Sequence, residues 1–410
     1  MPDPSPQPPS VAPTLARIRL GQLAVFTAAA TLVFLLAMLT PLRGFVFEPA
    51  DDARAASPLI TAGDPIMTDA ANPSALPSSD DDGGVPLARV PKPRSLRTLF
   101  SWQSLWRAVF VAVLCWIVTV IFITTVQRRL VFVGQSVFRN VDLRISSTVW
   151  DERQLRDVKV PTPDGLKLNG WLALTDPTSL DNKAAVAGKP LIVYFGGNAG
   201  TRRMRQTSLS MLETMGCSAL IVDYRSFADN DGKPSEEAFL RDGRTVVNWA
   251  NTELGVPDDR IILYGESLGG AVATGVAAAM CEDGREPGGL VLRATFASMT
   301  ETAGHHYPFL PVSLLLIDRF PSVDRIPSVT CPVLQFHGDE DVVIPLTHGK
   351  RLQAATPAES SGGIPKRFIE LPGAGHNNVL RTSYDTLYRE TERWLQDIGQ
   401  LPASEAAATE

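Results

Sequence analysis

The chain has 410 residues, room for one large α/β domain with an appendage, and 44% of them are hydrophobic, ordinary for a folded protein. A formal net charge of −6 gives no electrostatic reason to bind nucleic acid. Four scattered cysteines make no disulfide framework, and no Cys-x-x-Cys, phosphate-binding or dinucleotide-binding fingerprint occurs, so no metal and no cofactor is expected.

The N-terminal third differs in composition from the rest. Residues 1–19 begin with a Pro-rich stretch and are expected to be disordered. Residues 20–42 carry no charge and are mostly apolar; as a helix they reach roughly 34 Å, enough to cross a bilayer. Arg17, Arg19 and Arg43 bracket the run, which is too long for a signal-peptide core and lacks a small-x-small cleavage site. Residues 43–107 are largely Pro-, Asp-, Ser- and Ala-rich and read as an exposed linker. A second uncharged run covers 108–127, with Arg107 before it and Arg128-Arg129 after it. Charges at both ends of continuous apolar sequence argue for a second membrane span rather than a core helix. Two spans put the N-terminus and everything after Arg129 on one side. Lys and Arg nearly balance across the two sides, and the pair Arg128-Arg129 next to the membrane favours the cytoplasmic side for both.

From about residue 145 to 400 apolar strand-like runs alternate with helical stretches, which implies a mostly parallel sheet covered on both faces. Strands are expected at 156–160 and 166–174, with Pro163-Asp164-Gly165 as their turn, and then at 191–195, 219–223, 261–264, 290–293, 332–337 and 367–371. Helices are expected at about 202–215, from Ser235 as cap to about 251, over 270–280, and at 380–396, where the fold closes. Residues 299–328 are more apolar than a plain connection requires, notably 307–317. They read as a small cap that lines an acyl pocket or touches the membrane, or as a core-packed helix. Residues 401–410 read as a frayed tail.

The chemistry centres on Gly265-Glu266-Ser267-Leu268-Gly269, between the strand at 261–264 and a helix of small residues. Strand, tight turn with a central serine, then helix is the context of a nucleophile elbow. Side chains two residues either side of the serine would clash, so Gly265 and Gly269 are required there. A serine nucleophile needs a base, and the base an orienting carboxylate. Of five histidines, His376 lies in a Gly-rich loop after the last strand, ahead of the closing helix. His337 ends a strand and reads as packed and hydrogen-bonded, while His348 falls in a following helix. His305 and His306 are adjacent and make a poor metal pair. The carboxylate belongs on the loop after His337, where Asp339, Glu340 and Asp341 all qualify by chemistry and spacing alone does not choose.

These segments resemble the α/β-hydrolase superfamily, and within it membrane-anchored α/β-hydrolase-domain proteins of the serine-aminopeptidase-like branch. The matching stretches are Phe195-Gly196-Gly197-Asn198-Ala199-Gly200, Asp223-Tyr224-Arg225, Pro234-Ser235-Glu236, the elbow, His337 to Pro345, and Gly375-His376, in that order. The resemblance implies an α/β-hydrolase fold, a mostly parallel sheet flanked by helices, here preceded by two transmembrane helices. Its H-G-x-x-D-x-x-x-P pattern implies Asp341 as the catalytic acid, with Asp339 the alternative. It implies an oxyanion hole from the amides of Leu268 and Asn198, with Gly197 the alternative second donor. Two departures stand out: Gly196-Gly197-Asn198 replaces the usual His-Gly-Asn, and Ser226-Phe227-Ala228 replaces a Gly-aromatic-Gly turn.

The expectation is a membrane-anchored serine hydrolase with the triad Ser267, His376 and Asp341, acting on ester or thioester bonds of lipid-like acyl substrates. A hydrolase of short peptides and a noncatalytic membrane scaffold are the alternatives. Because every site residue lies beyond it, a chain beginning near Asn140 is expected to fold unaided.

Overall fold

The computed structural model describes residues 102–134, 155–175 and 186–403. The expected span at 20–42, residues 1–19, most of the linker and most of the tail lie outside the described residues. The chain divides into two units within one helix, between Val118 and Thr119.

That helix, α1 (Trp102–Val131), is longer than the uncharged run at its centre. The flanking arginines are good helix formers and do not stop it. Its stretch Leu105–Val131 is the one helix among the described residues long and apolar enough to cross a membrane. Phe110, Val118, Ile121 and Phe122 are mostly exposed, a surface costly in water and neutral in hydrocarbon.

The sheet has eight strands: β1 (Leu155–Pro161), β2 (Lys167–Ala173), β3 (Leu191–Phe195), β4 (Ser218–Val222), β5 (Ile261–Glu266), β6 (Gly289–Arg293), β7 (Val333–Gly338) and β8 (Arg367–Leu371). Their order is β1-β2-β4-β3-β5-β6-β7-β8. β1 and β2 form an antiparallel hairpin, β2 joins β4 antiparallel, and every later pairing is parallel. The near-continuous burial of β3, β5, β6 and β7 follows from helices on both faces.

Between the strands run α2 (Gln206–Thr214), α3 (Glu236–Trp249), α4 (Leu268–Glu282), α5 (Met299–His306), α6 (Val312–Leu315), α7 (Ser322–Arg325), α8 (Leu346–Ala355) and α9 (Val379–Asp397). One core lies beneath α3, α4 and α8, with Phe239, Val272 and Leu352; the other lies beneath α2 and α9, with Leu212 and Trp394. The helix expected from Arg202 opens as a 3₁₀ turn, Arg202–Arg205, because Arg202 is pinned to Asp223 by its amide (2.8 Å) and its guanidinium (2.5 Å). Ser235 caps α3 as expected, its hydroxyl accepting from the Ala238 amide at 3.1 Å.

Register places the functional loops. Phe195 stands beside Gly265, Glu266 beside Arg293, and Gly338 beside Leu371. The loops leaving β3, β5, β7 and β8 therefore meet at the carboxyl edge of the parallel strands, where sites form in such sheets.

The carboxyl end of α1 is tied into the sheet domain. Phe132, just past its end, is fully buried and packs edge-on against Phe239 (centroids 5.0 Å) and Phe320 (6.3 Å). Gln127 donates to the Leu315 carbonyl (3.2 Å) and accepts from the Ile317 amide (2.9 Å), and Arg128 pairs with Asp318 at 2.8 Å. A buried glutamine beside an apolar run is costly unless both ends of its amide are satisfied, and here the backbone of Leu315 and Ile317 satisfies them.

Candidate active site

Ser267 sits between β5 and α4 with φ 54° and ψ −117°, a left-handed conformation rare for a residue with a side chain. The turn is locked by the Ser267 amide donating to the Arg293 carbonyl (2.9 Å) and the Gly270 amide donating to the Ser267 carbonyl (3.0 Å). A Cβ on Gly265 would strike the backbone of Gly270, and one on Gly269 the carbonyl of Phe195. The two glycines are thus forced by backbone against backbone. Leu268 opens α4, so its amide has no acceptor within the helix and lies in the partial positive field of the helix N-terminus.

His376 links two side chains from other loops. Its Nε2 is 3.0 Å from Ser267 Oγ and its Nδ1 is 2.7 Å from Asp341 Oδ2. Asp341 is buried, and its Oδ1 accepts from the amides of Val343 (2.9 Å) and Ile344 (2.7 Å). One oxygen is held by backbone and the other is aimed at the imidazole. Asp339 points elsewhere: its Oδ1 accepts from the Gly373 amide at 2.7 Å, at an exposed position, and braces the histidine loop. His337 is fully buried at the end of β7, where its Nε2 donates to the Ile344 carbonyl at 2.8 Å. Burial pushes its pKa down, which keeps the ring neutral. His348 lies in α8. Among the described residues no group of three or more His, Cys, Asp or Glu is placed to hold a metal.

The loop after β3 is tightly built rather than a loose turn. A Cβ on Gly197 would come 3.0 Å from Glu266 Oε1, 3.2 Å from an Arg205 nitrogen and 3.5 Å from Ser267 Cβ, whereas Gly196 has room. Asn198 borders the same cavity as Ser267 and Leu268. Its side-chain amide donates to the carbonyl of Val131, the last residue of α1, at 2.5 Å.

Glu266, beside the serine, accepts from Arg205 at 2.7 Å, Arg293 at 2.6 Å and the Tyr194 hydroxyl at 2.7 Å. Burial raises its pKa, but the two guanidiniums outweigh burial and hold the carboxyl well below its ordinary range. This ionic strut joins β3, β5, β6 and the turn before α2 directly beneath the elbow. Charge alone does not reveal it in the sequence, because Arg205 and Arg293 stand 61 and 27 residues from Glu266.

The departure at Ser226-Phe227-Ala228 leaves the turn geometry possible: Ser226 (φ 72°) and Ala228 (φ 50°) both take the left-handed conformation a glycine would adopt. Phe227, buried against Tyr224 and Phe239, and the Ser226 amide bonded to the Asp231 carbonyl (3.0 Å) hold them there.

An almost wholly apolar, partly open cavity of about 250 Å³ adjoins Ser267. Residues 299–316 form one side of it through Met299, Tyr307 and Leu316, and α1 forms another through Phe122, Ile123 and Leu130. The contribution of α1 is the feature that sequence reasoning missed.

No family model matches the chain. It is 41% identical over 223 residues, 54% of its length, to an uncharacterized protein of Mycobacterium tuberculosis, and covers 73% of that protein. It is 31% identical over 203 residues to the lysophosphatidylserine lipase ABHD12 of Danio rerio, covering 46% of this chain and about half (53%) of the lipase. Among solved structures, an α/β hydrolase from Vibrio vulnificus superposes with a TM-score of 0.52 at 17% identity, over 64% of this chain and 91% of the other. With the strand order and the elbow in place, the conclusion follows that the chain belongs to the α/β-hydrolase superfamily.

Proposed function

We propose that this protein is a membrane-anchored serine hydrolase that cleaves ester or thioester bonds of lipid-like acyl substrates. The observation that carries the reading is the alignment of His376 between Ser267 Oγ and Asp341 Oδ2, at 3.0 and 2.7 Å. Ser267 Oγ attacks the acyl carbonyl while His376 Nε2 takes its proton, and Asp341 holds the tautomer and stabilises the imidazolium. The amides of Leu268 and Asn198 receive the oxyanion. His376 returns the proton to the leaving oxygen or sulfur, and the acyl group stays on Ser267. Water, deprotonated by His376, then releases the carboxylic acid and regenerates the serine. The residues use no cofactor in this cycle.

The substrate class follows from the apolar cavity and the membrane helix, and the likeness to a lysophosphatidylserine lipase supports it. We assign Leu105–Val131 as one span and the uncharged run at 20–42 as a second, with the hydrolase domain and the N-terminus both on the cytoplasmic side.

The test is labelling of the detergent-solubilised full chain with a fluorophosphonate probe, together with hydrolysis of a short ester. Labelling is expected in the parent and absent in Ser267→Ala, with hydrolysis reduced by several orders of magnitude, since such groups act as a unit. Undiminished hydrolysis by Ser267→Ala would sink the assignment.

A further inference from the structure

The cavity beside Ser267 is built partly from the membrane helix. Ser267, Leu268 and Asn198 line it, together with Phe122, Ile123 and Leu130 from α1. The Val131 carbonyl meets Asn198, so that end of α1 lies at the loop expected to bind the oxyanion. Phe122 is nine residues earlier, roughly 14 Å along the helix axis. The lining therefore follows α1 away from the Asn198 loop, within the stretch that is apolar enough for hydrocarbon.

The cap is fastened to the same stretch. Gln127 bonds Leu315 and Ile317, and Arg128 pairs with Asp318, which also accepts from the amide that opens α3 at 2.9 Å. The cap thus has a fixed place against α1. On its outer side Leu314 is 81% exposed and Ile317 59%, apolar area that belongs in an interface rather than in water.

We propose that residues 122–133 of the membrane-helix segment are a wall of the acyl-chain site, so that a long acyl chain lies along α1 with its far end in the bilayer and its carbonyl at Ser267. The proposal rests on the serine-hydrolase reading. It makes the anchor a determinant of chain-length preference, and it makes the Val131 carbonyl, through Asn198, a positioning group for the oxyanion loop. A helix that served only as a tether would have no reason to line the cavity or to bond that loop.

The experiment uses the full chain in mixed micelles with p-nitrophenyl acetate and p-nitrophenyl palmitate. Ile123→Trp fills the cavity on its α1 side. The ratio of kcat/KM for palmitate to that for acetate is expected to fall about ten-fold or more. Ile121→Trp, an exposed neighbour that does not line the cavity, is expected to leave the ratio unchanged. Fluorophosphonate labelling reports whether the site of each variant is intact. If Ile123→Trp is not labelled, Ile123→Ala decides, because it enlarges the cavity and should shift preference toward longer chains. A ratio unmoved in the labelled Ile123 variant, or moved equally by Ile121→Trp, overturns the proposal. Unimpaired hydrolysis by Ser267→Ala would instead overturn the reading beneath it.

Discussion

Asp339 and Asp341 are two residues apart on one loop, yet their oxygens face different partners. Asp341 meets His376, while Asp339 accepts from the Gly373 amide. Asp341→Asn should therefore lower kcat by on the order of 10³–10⁴, through the wrong imidazole tautomer. Asp339→Asn keeps an acceptor oxygen for Gly373 and should change kcat by less than about ten-fold. Steady-state hydrolysis of a short ester measures both, and a reversed order would move the acid to Asp339. Glu266 gives a pH signature. Its folded pKa is depressed, so its contribution to stability is fully present above the ordinary glutamate value of 4.5 and shrinks as pH falls below it. Glu266→Gln leaves Arg205 and Arg293 without their carboxylate and should cost about 3–5 kcal/mol near neutral pH. Thermal melts should show the gap between parent and variant narrowing below pH 4.5. A gap independent of pH would mean that the strut contributes packing rather than charge.

At the scale of elements, α1 changes from an exposed apolar helix to a part of the folded domain within a few residues. Phe132 occupies an aromatic cluster with Phe239 and Phe320, and removing a buried phenylalanine costs about 3–5 kcal/mol. A chain beginning at Asn140 should unfold at a lower temperature than the full chain and hydrolyse even a short ester more slowly, since Asn198 loses the Val131 acceptor. A chain beginning at Trp102 keeps those contacts and should match the full chain on the short ester. Equal melting temperatures for the Asn140 chain and the full chain would show that the contacts of α1 are dispensable. The strands and long helices were legible because each repeats a local pattern: buried apolar runs between turn residues, and small-residue or amphipathic helices. The docking of α1 was not legible, since the same apolarity serves lipid and protein equally well.

For the whole molecule, two spans would put both termini on one side of the membrane. In intact vesicles, Ser5→Cys and Ser404→Cys should be labelled by an impermeant thiol reagent from the same side, and Ser78→Cys from the other. Labelling of all three from one side would remove a span. The prediction follows from two uncharged runs, at 20–42 and 108–127, each long enough to cross a bilayer as a helix.

Sequence by itself determined the features that short-range sterics and hydrophobicity dictate. Gly265 is needed where a serine is strained between strand and helix, because a Cβ there would meet the turn's own backbone at Gly270, whereas the need for glycine at 269 comes from the Phe195 carbonyl that the sheet brings against it. The alternation of buried strands and helices set the class of sheet, and the last strand led to the histidine loop. Tertiary structure alone decided what joins distant parts of the chain. Arg205 and Glu266 are 61 residues apart, Val131 and Asn198 67, and Arg128 and Asp318 190. No local propensity encodes such pairings. They arise when the parallel sheet brings its loops to one edge, where a buried charge must find a partner and an apolar helix end must find a surface.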